Sequence, residues 1–350
     1  MCPLLIGDGV ENAWNARVMA HAAEIFDWQC AFRDRNGLID DWRSKELGPP
    51  PSSLSLDEIR GLCDPIVAFD NAEGAVPLYG FQPGPADRLG LAVGNERRGL
   101  PGDLVQSSRH RVFVPMVSRR VNSLNVAAAA AVGLFYLSRG GGGKLYTRAD
   151  PNRNRPELLL VGGGDHVELG STIRSAAAFG WRRAFVEDRA GVWFGGGRAA
   201  LTEGRAAARR AKNTIRLVRV AEDRRYAFDE ACVVRMRPGG RPIGRSNLAR
   251  GLRQLVVLVD EREVDVAEED WGRLAKRTSH VTLDLPVADL EPTYHYRLAS
   301  AISLAEVARQ VGIRAPKARR KPRPPVYDRL LRVLLEDEGE IVDLVDLEEY

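Results

Sequence analysis

Two hydrophobic periods take turns along the chain. Leu4–Gly7 is a short apolar run that ends at Asp-Gly, which predicts a strand closing in a turn. Ala13–Ile25 is alanine-rich and free of Gly and Pro, which predicts a helix. A strand over Asp27–Phe32 and a Pro/Ser loop over Gly48–Ser53 follow. Ser55-Leu56-Asp57-Glu58 has the form of a capping box and opens a short helix. Pro65–Phe69, Leu89–Val93 and Val112–Val114 read as strands. Pro101–Ser107 reads as a helical turn and Ser123–Leu137 as a long helix. After a glycine-rich polar stretch at 140–156, the same order restarts. Leu158–Val161 is a strand, Ser171–Phe179 a helix, and Trp181–Glu187, Leu255–Val259 and Val281–Leu285 are strands. Leu298–Val311 is a long helix. Arg235–Arg250 reads as an exposed loop. Arg314–Arg323 is an extended basic linker, because its prolines exclude a helix. Tyr327–Leu347 is expected to form a final amphipathic helix. Strands alternating with helices predict an α/β fold with mostly parallel sheets.

Composition narrows the class. With 44 % hydrophobic and 28 % charged residues, the chain is globular rather than disordered. Its 350 residues suit about two domains. No apolar run reaches the roughly 18 residues that span a bilayer. The N-terminus lacks the basic region and core of a signal peptide. Cys2, Cys30, Cys63 and Cys232 are scattered without metal spacing. That pattern predicts no metal site and no disulfide framework, and it suits a reducing cytoplasm.

The net charge of +4 hides an uneven distribution. Residues 1–150 carry 16 Lys and Arg against 17 Asp and Glu, whereas residues 151–334 carry 35 against 22. Residues 335–350 hold eight acids and no base. An arginine-rich second half points to a polyanion, most simply a nucleic acid; the competing explanation is a compositional arginine bias. Gly143-Lys144 is not a phosphate loop. Leu145 follows where Ser or Thr is needed, and the pair ends a helix instead of opening one.

Two segments carry chemistry. The first is Leu91-Ala92-Val93-Gly94-Asn95-Glu96-Arg97-Arg98-Gly99-Leu100-Pro101. The second is Val112-Phe113-Val114-Pro115-Met116 with Ser123-Leu124-Asn125-Val126 and the alanines after it. A strand followed by Gly-Asn-Glu places backbone N–H groups and a carboxylate at the C-terminal edge of a parallel sheet, where α/β sheets bind ligands. Ser123 and Asn125 stand where the last helix begins, so they cap it or face the same crevice.

In order and spacing these segments resemble the second and third motifs of the SpoU/TrmH branch of the SPOUT methyltransferases. The resemblance implies a trefoil-knotted α/β fold and methyl transfer from S-adenosylmethionine to RNA, usually to a ribose 2′-hydroxyl of tRNA or rRNA. It places Gly94, Val114, Met116 and Leu124 around the cofactor, and Glu96, Ser123 and Asn125 at the motif's polar positions. The loop between Met116 and Ser123 departs from the pattern in lacking a glycine.

The family's first motif, an Asn, an Arg six residues on and then Phe-Gly, occurs twice in imperfect form. Asn15 and Phe26 keep it in the first half, where His21 and Asp27 replace the Arg and Gly. Arg174, Phe179 and Gly180 keep it in the second half, where Glu168 replaces the Asn. The second half departs elsewhere. Val259-Asp260-Glu261-Arg262-Glu263-Val264 replaces the glycine-rich turn. Asp284-Leu285-Pro286 and Thr293-Tyr294-His295-Tyr296 stand in for the other elements.

The expected architecture is therefore two fused SpoU-type domains. Residues 1–139 hold the cofactor motifs, 140–156 a linker, 157–312 a degenerate copy, and 313–350 a basic linker with an acidic tail. Family members usually act as dimers, so a monomeric pseudo-dimer with one composite site is expected. In it Arg174, with Glu96, Ser123, Asn125 and Asn15, would serve catalysis. The competing assignment for Arg174 is a surface helix residue paired with Glu168. The competing function is a non-catalytic RNA-binding protein on a decayed scaffold.

Overall fold

A computed structural model describes residues 2–71, 74–84, 88–95, 98–116, 124–138, 155–194, 215–235, 241–246, 248, 254–283, 285, 296–311, 333–337 and 340–343. The first half runs β1 (Leu4–Asp8), α1 (Ala13–Ile25), β2 (Gln29–Arg33), α2 (Leu38–Ser44), β3 (Ser52–Ser53), α3 (Leu56–Leu62) and β4 (Ile66–Phe69). It continues with β5 (Val76–Pro77), β6 (Gly90–Val93), α4 (Gly102–Ser107), β7 (His110–Phe113) and α5 (Val126–Ser138). The second half runs β8 (Glu157–Val161), α6 (His166–Ala178), β9 (Arg183–Glu187), β10 (Arg216–Arg219) and β11 (Phe228–Arg235). It ends with β12 (Arg241–Pro242), β13 (Gln254–Val259), β14 (Ala275–Thr282), α7 (Tyr296–Val311), β15 (Val333–Asp337) and β16 (Glu340–Asp343).

The two sheets have the same topology. Sheet one is ordered β3-β2-β1-β6-β4-β7-β5, and sheet two contains β10-β9-β8-β13-β11-β14-β12. Each strand of the second order is the seventh after its counterpart in the first. Every neighbouring pair in both orders is parallel. Sheet two adds β15, parallel to β10, and β16, antiparallel to β15. The fold is a mixed α/β architecture with two mostly parallel sheets of one topology, as the sequence predicts.

The repeat extends to local chemistry. Asn12 and Asp165 cap helices of equal length. The Asn12 side chain accepts from the N–H groups of Trp14 and Asn15, and Asp165 from those of Val167 and Glu168. Phe26 and Phe179 end these helices, and the next residue is left-handed in both, at φ 57° for Asp27 and 92° for Gly180. Asn15 and Glu168 thus hold the same place, as do His21 and Arg174. The last helices repeat as well: α5 packs on α1, and α7 packs on α6. Both are buried nearly all round, which explains their lack of a polar stripe. Each fully buried Leu or Ile of the strands between them contributes about 1.5–3 kcal/mol.

Two compact units divide the chain. Unit 1 is Met1–Pro115, Asn125–Leu145 and Leu285–Tyr294; unit 2 is Met116–Leu124, Tyr146–Asp284 and His295–Tyr350. The segment before the last helix of each half is thus counted with the other unit.

Several elements differ from expectation. Tyr327–Leu347 contains no described helix; Val333–Asp337 and Glu340–Asp343 form an antiparallel pair. Helix α6 begins at His166, five residues before the expected Ser171, because Asp165 caps it and Gly170 is accommodated within it. Strand β14 starts at Ala275 and ends at Thr282, ahead of the expected Val281–Leu285. Within Arg235–Arg250, Arg241–Pro242 joins the sheet beside β14, so that stretch is not wholly loop. The expected linker at 140–156 is described only from Arg155, and the basic segment Arg314–Arg323 lies outside the described residues.

Candidate active site

The loop after β6 is closed by its own main chain. Asn95 and Gly99 exchange two backbone hydrogen bonds, at 3.1 and 2.9 Å. A Cβ on Gly94 would stand 2.3 Å from the Gly99 carbonyl carbon and 2.4 Å from the Leu100 nitrogen. Backbone passes where a side chain would be, so only glycine fits here. The buried Asn95 side chain ties the loop down. Its Nδ2 donates to the Gly9 carbonyl at 2.7 Å, just beyond β1, and its Oδ1 accepts from Arg98 N–H at 2.9 Å. Asn95 belongs to the recognised motif, yet its structural task was not among the site residues expected from sequence. Two neighbouring strand ends are thereby fixed at one C-terminal edge. Val114, just beyond β7, is buried. Glu96 lies outside the described residues.

A second polar pair stands at the start of α5. Asn125 Oδ1 accepts from Ala127 N–H at 2.9 Å and caps the helix. Asn125 Nδ2 donates to Asn15 Oδ1 at 3.0 Å, across 110 residues of sequence. The structure thus joins two of the expected site residues. Ser123 lies outside the described residues.

The second unit answers each of these positions differently. Glu168, in the place of Asn15, meets the start of α7. Its Oε2 accepts from Arg297 N–H at 2.9 Å, and its Oε1 lies 2.9 Å from Arg297 Nε. Both residues are about 5 % exposed, so this is a buried ion pair. Arg174 is 7 % exposed, and its Nη2 donates to the Leu124 carbonyl at 2.8 Å. Leu124 and Met116, two of the expected cofactor contacts, are buried residues grouped with the same unit as Arg174.

At the C-terminal edge of sheet two, sheet register puts Val259 where Gly94 stands and Asp260 where Asn95 stands. Asp260 is wholly buried and binds Arg262 through both oxygens, at 2.8 and 2.7 Å. Tyr296 is buried and donates to the Leu258 carbonyl at 3.2 Å. Burial, with the Asp260 charge adding to it, pushes the Tyr296 phenol well above its ordinary range, so it stays neutral. Among the described residues, an aromatic ring and an internal ion pair stand at this edge where the first half has its glycine loop and apolar neighbours, and it is the glycine loop that fits an adenosyl group. Asp284, Pro286, Thr293, Tyr294 and His295 lie outside the described residues.

No cluster of His, Cys, Asp and Glu suited to a metal occurs among the described residues. No described helix is long and apolar enough to cross a membrane.

Residues 60–135 match the SpoU rRNA Methylase family. No protein of curated function is matched. Among solved structures, the chain is similar to the SpoU methyltransferase AviRb from Streptomyces viridochromogenes, solved with AdoMet. Identity there is 18 %, over 39 % of this chain and 56 % of that one, at a TM-score of 0.33. A protein from a study of 2-OH methylation of C/U34 on tRNA is 24 % identical over 40 % of this chain and 91 % of its own, at 0.33. The TrmH/SpoU tRNA modifying enzyme of A. aeolicus is 18 % identical over 39 % and 74 %, at 0.32. The chain therefore spans just over half the length of AviRb. The stretch matched to that family, residues 60–135, holds Gly94, Val114, Met116, Leu124 and Asn125.

Proposed function

We propose that the chain methylates a ribose 2′-hydroxyl of tRNA or rRNA at one composite site, as an intramolecular pseudo-dimer in the cytoplasm. Residues 1–139 form the cofactor domain, 157–312 the degenerate partner, and 313–350 the basic linker with its acidic tail. S-adenosylmethionine supplies an electrophilic methyl group when bound. Gly94, Val114, Met116 and Leu124 hold it, largely through backbone and apolar contacts. Glu96, Ser123, Asn125 and Asn15 form the polar side of the site.

The observation that carries this reading is the bond from Arg174 Nη2 to the Leu124 carbonyl. Leu124 directly precedes Asn125, whose side chain holds Asn15. The motif-one arginine kept only by the second half is thus anchored on the motif-three backbone kept only by the first. With a pKa above about 12 an arginine is a poor base. Its role here is electrostatic: it orients the ribose and stabilises negative charge on the 2′-oxygen as the proton leaves.

The filled edge of the second unit favours a different reading for that half alone, a scaffold that binds RNA without chemistry. Titration calorimetry with S-adenosylmethionine separates the two for the whole chain. One cofactor per chain supports the methyltransferase; none supports the scaffold. Methyl transfer by Arg174→Ala then tests the composite site.

A further inference from the structure

Beside the Gly94 loop, at the same C-terminal edge of sheet one, lies a charged cluster that the cofactor motifs do not use. Asp8 ends β1 and is 1 % exposed. Arg33 ends β2, with Nη1 3.1 Å from Asp8 Oδ2 and Nη2 2.6 Å from Asp103 Oδ2. Arg35 reaches Asp8 only at 3.8 Å, and its side chain is 47 % exposed. Gly9, the residue after Asp8, accepts from Asn95 Nδ2 at 2.7 Å and from Asn36 Nδ2 at 2.6 Å. One residue therefore separates the carboxylate that anchors the arginines from the loop that carries Gly94.

The duplicated fold shows that this cluster is not required for folding. Gly9 N–H donates to the Arg33 carbonyl at 3.0 Å, and Gly162 N–H to the Glu187 carbonyl at 3.4 Å, which aligns the two edges. In the second copy Val161 takes the place of Asp8 and is wholly buried. Glu187 takes the place of Arg33, and Arg273 neutralises it at 2.8 and 3.0 Å. Arg189, in the place of Arg35, is spent on Glu187 and Glu269, at 3.1 and 2.8 Å. A valine satisfies this position of the sheet, and a buried ion pair is seldom more stabilising than apolar packing. Among the described residues, Arg35 of the first copy is 47 % exposed, whereas its counterpart Arg189 is 22 % exposed and held by carboxylates.

We propose that Arg33 and Arg35, oriented by Asp8 and Asp103, form a phosphodiester-binding site for RNA, next to the nucleotide whose ribose is methylated. This rests on the proposed function. The arginine fork matches phosphate geometry, and Arg33 is pre-positioned by its two carboxylates while Arg35 keeps most of its donors for the ligand.

The test uses the full chain with Arg35→Ala and Arg35→Lys, fluorescently labelled unfractionated tRNA, and anisotropy over a range of salt concentrations. Arg35→Ala is expected to weaken tRNA binding several-fold and to lower the slope of log affinity against log salt by about 1. Arg35→Lys should restore the slope, and S-adenosylmethionine affinity by calorimetry should not change. Unchanged tRNA affinity and slope in Arg35→Ala overturns the proposal. A wild-type chain that binds tRNA through Arg35 but neither binds the cofactor nor transfers methyl groups would overturn the proposed function and leave this contact standing.

Discussion

Asn125 donates its side-chain amide to Asn15 at 3.0 Å, and the equivalent junction of the second unit holds the Glu168–Arg297 ion pair instead. Both junctions link the third residue of a first helix to the start of a last helix. In one unit the link is neutral. In the other it is a buried salt bridge. Removing the neutral link is expected to affect chemistry more than stability. Asn15→Ala should slow methyl transfer by about ten- to a hundredfold, through misplacement of Asn125, with little change in the urea midpoint. Asn125→Ala also loses the cap on Ala127 and should cost about 1 kcal/mol more. Single-turnover rates beside denaturation curves check both.

Gly94→Ala should destabilise the first unit by about 1–3 kcal/mol, because its new methyl meets fixed backbone and not a movable side chain. Cofactor affinity should fall with it. Gly102, the first residue of α4, has open space around it, and Gly102→Ala is the matched control, expected to be neutral or slightly stabilising. Urea denaturation with calorimetry distinguishes the two variants.

Breaking the ion pair of the second unit should act on stability alone. Arg297→Met takes the Arg297 guanidinium away from the buried Glu168 carboxylate, at a cost of about 3–5 kcal/mol. The double variant Glu168→Leu, Arg297→Met should recover most of this, less about 1 kcal/mol for the carboxylate lost from the N-terminus of α7. S-adenosylmethionine affinity of the double variant should equal that of the wild type. A loss of affinity would show that residues 157–312 carry part of the cofactor site.

All four cysteines are free thiols. Burial pushes the Cys63 thiol up to about 11 and Cys232 up to about 12, and raises Cys30 as well. The thiolate is the reactive form, so near pH 8 these three should resist alkylation in the folded chain. Exposed Cys2 should react. Mass spectrometry of native protein should show one rapid modification per chain, with the other three appearing only in denaturant.

Much of the fold was legible because its signals are local. Ala13–Ile25 is legible as an alanine-rich run free of Gly and Pro. Ser55 and Glu58 form the capping box their spacing announces. The motif positions, Asn15 with Glu168 and His21 with Arg174, follow from spacing within single helices. What was not legible depends on neighbours distant in sequence. Glu168 meets Arg297 across 129 residues, a contact that no local signal announces. Helix α2 was missed because seven residues are too few to show a period; it is held by Asp34, whose carboxylate accepts from Leu38 and Ile39 N–H. Strand β11 was missed because Asp229 and Glu230 interrupt its apolar run, although it pairs on both sides. The Asp8–Arg33 pair arises only when β1 and β2 lie side by side.

The most direct test of the central claim is a nucleoside digest of tRNA and rRNA after incubation with S-adenosylmethionine and either the wild-type chain or Arg174→Ala. The account predicts a 2′-O-methylated nucleoside with the wild type. With Arg174→Ala, cofactor binding should be retained and that product should be lost. A methylated base in place of a methylated ribose, or full activity in Arg174→Ala, would contradict it.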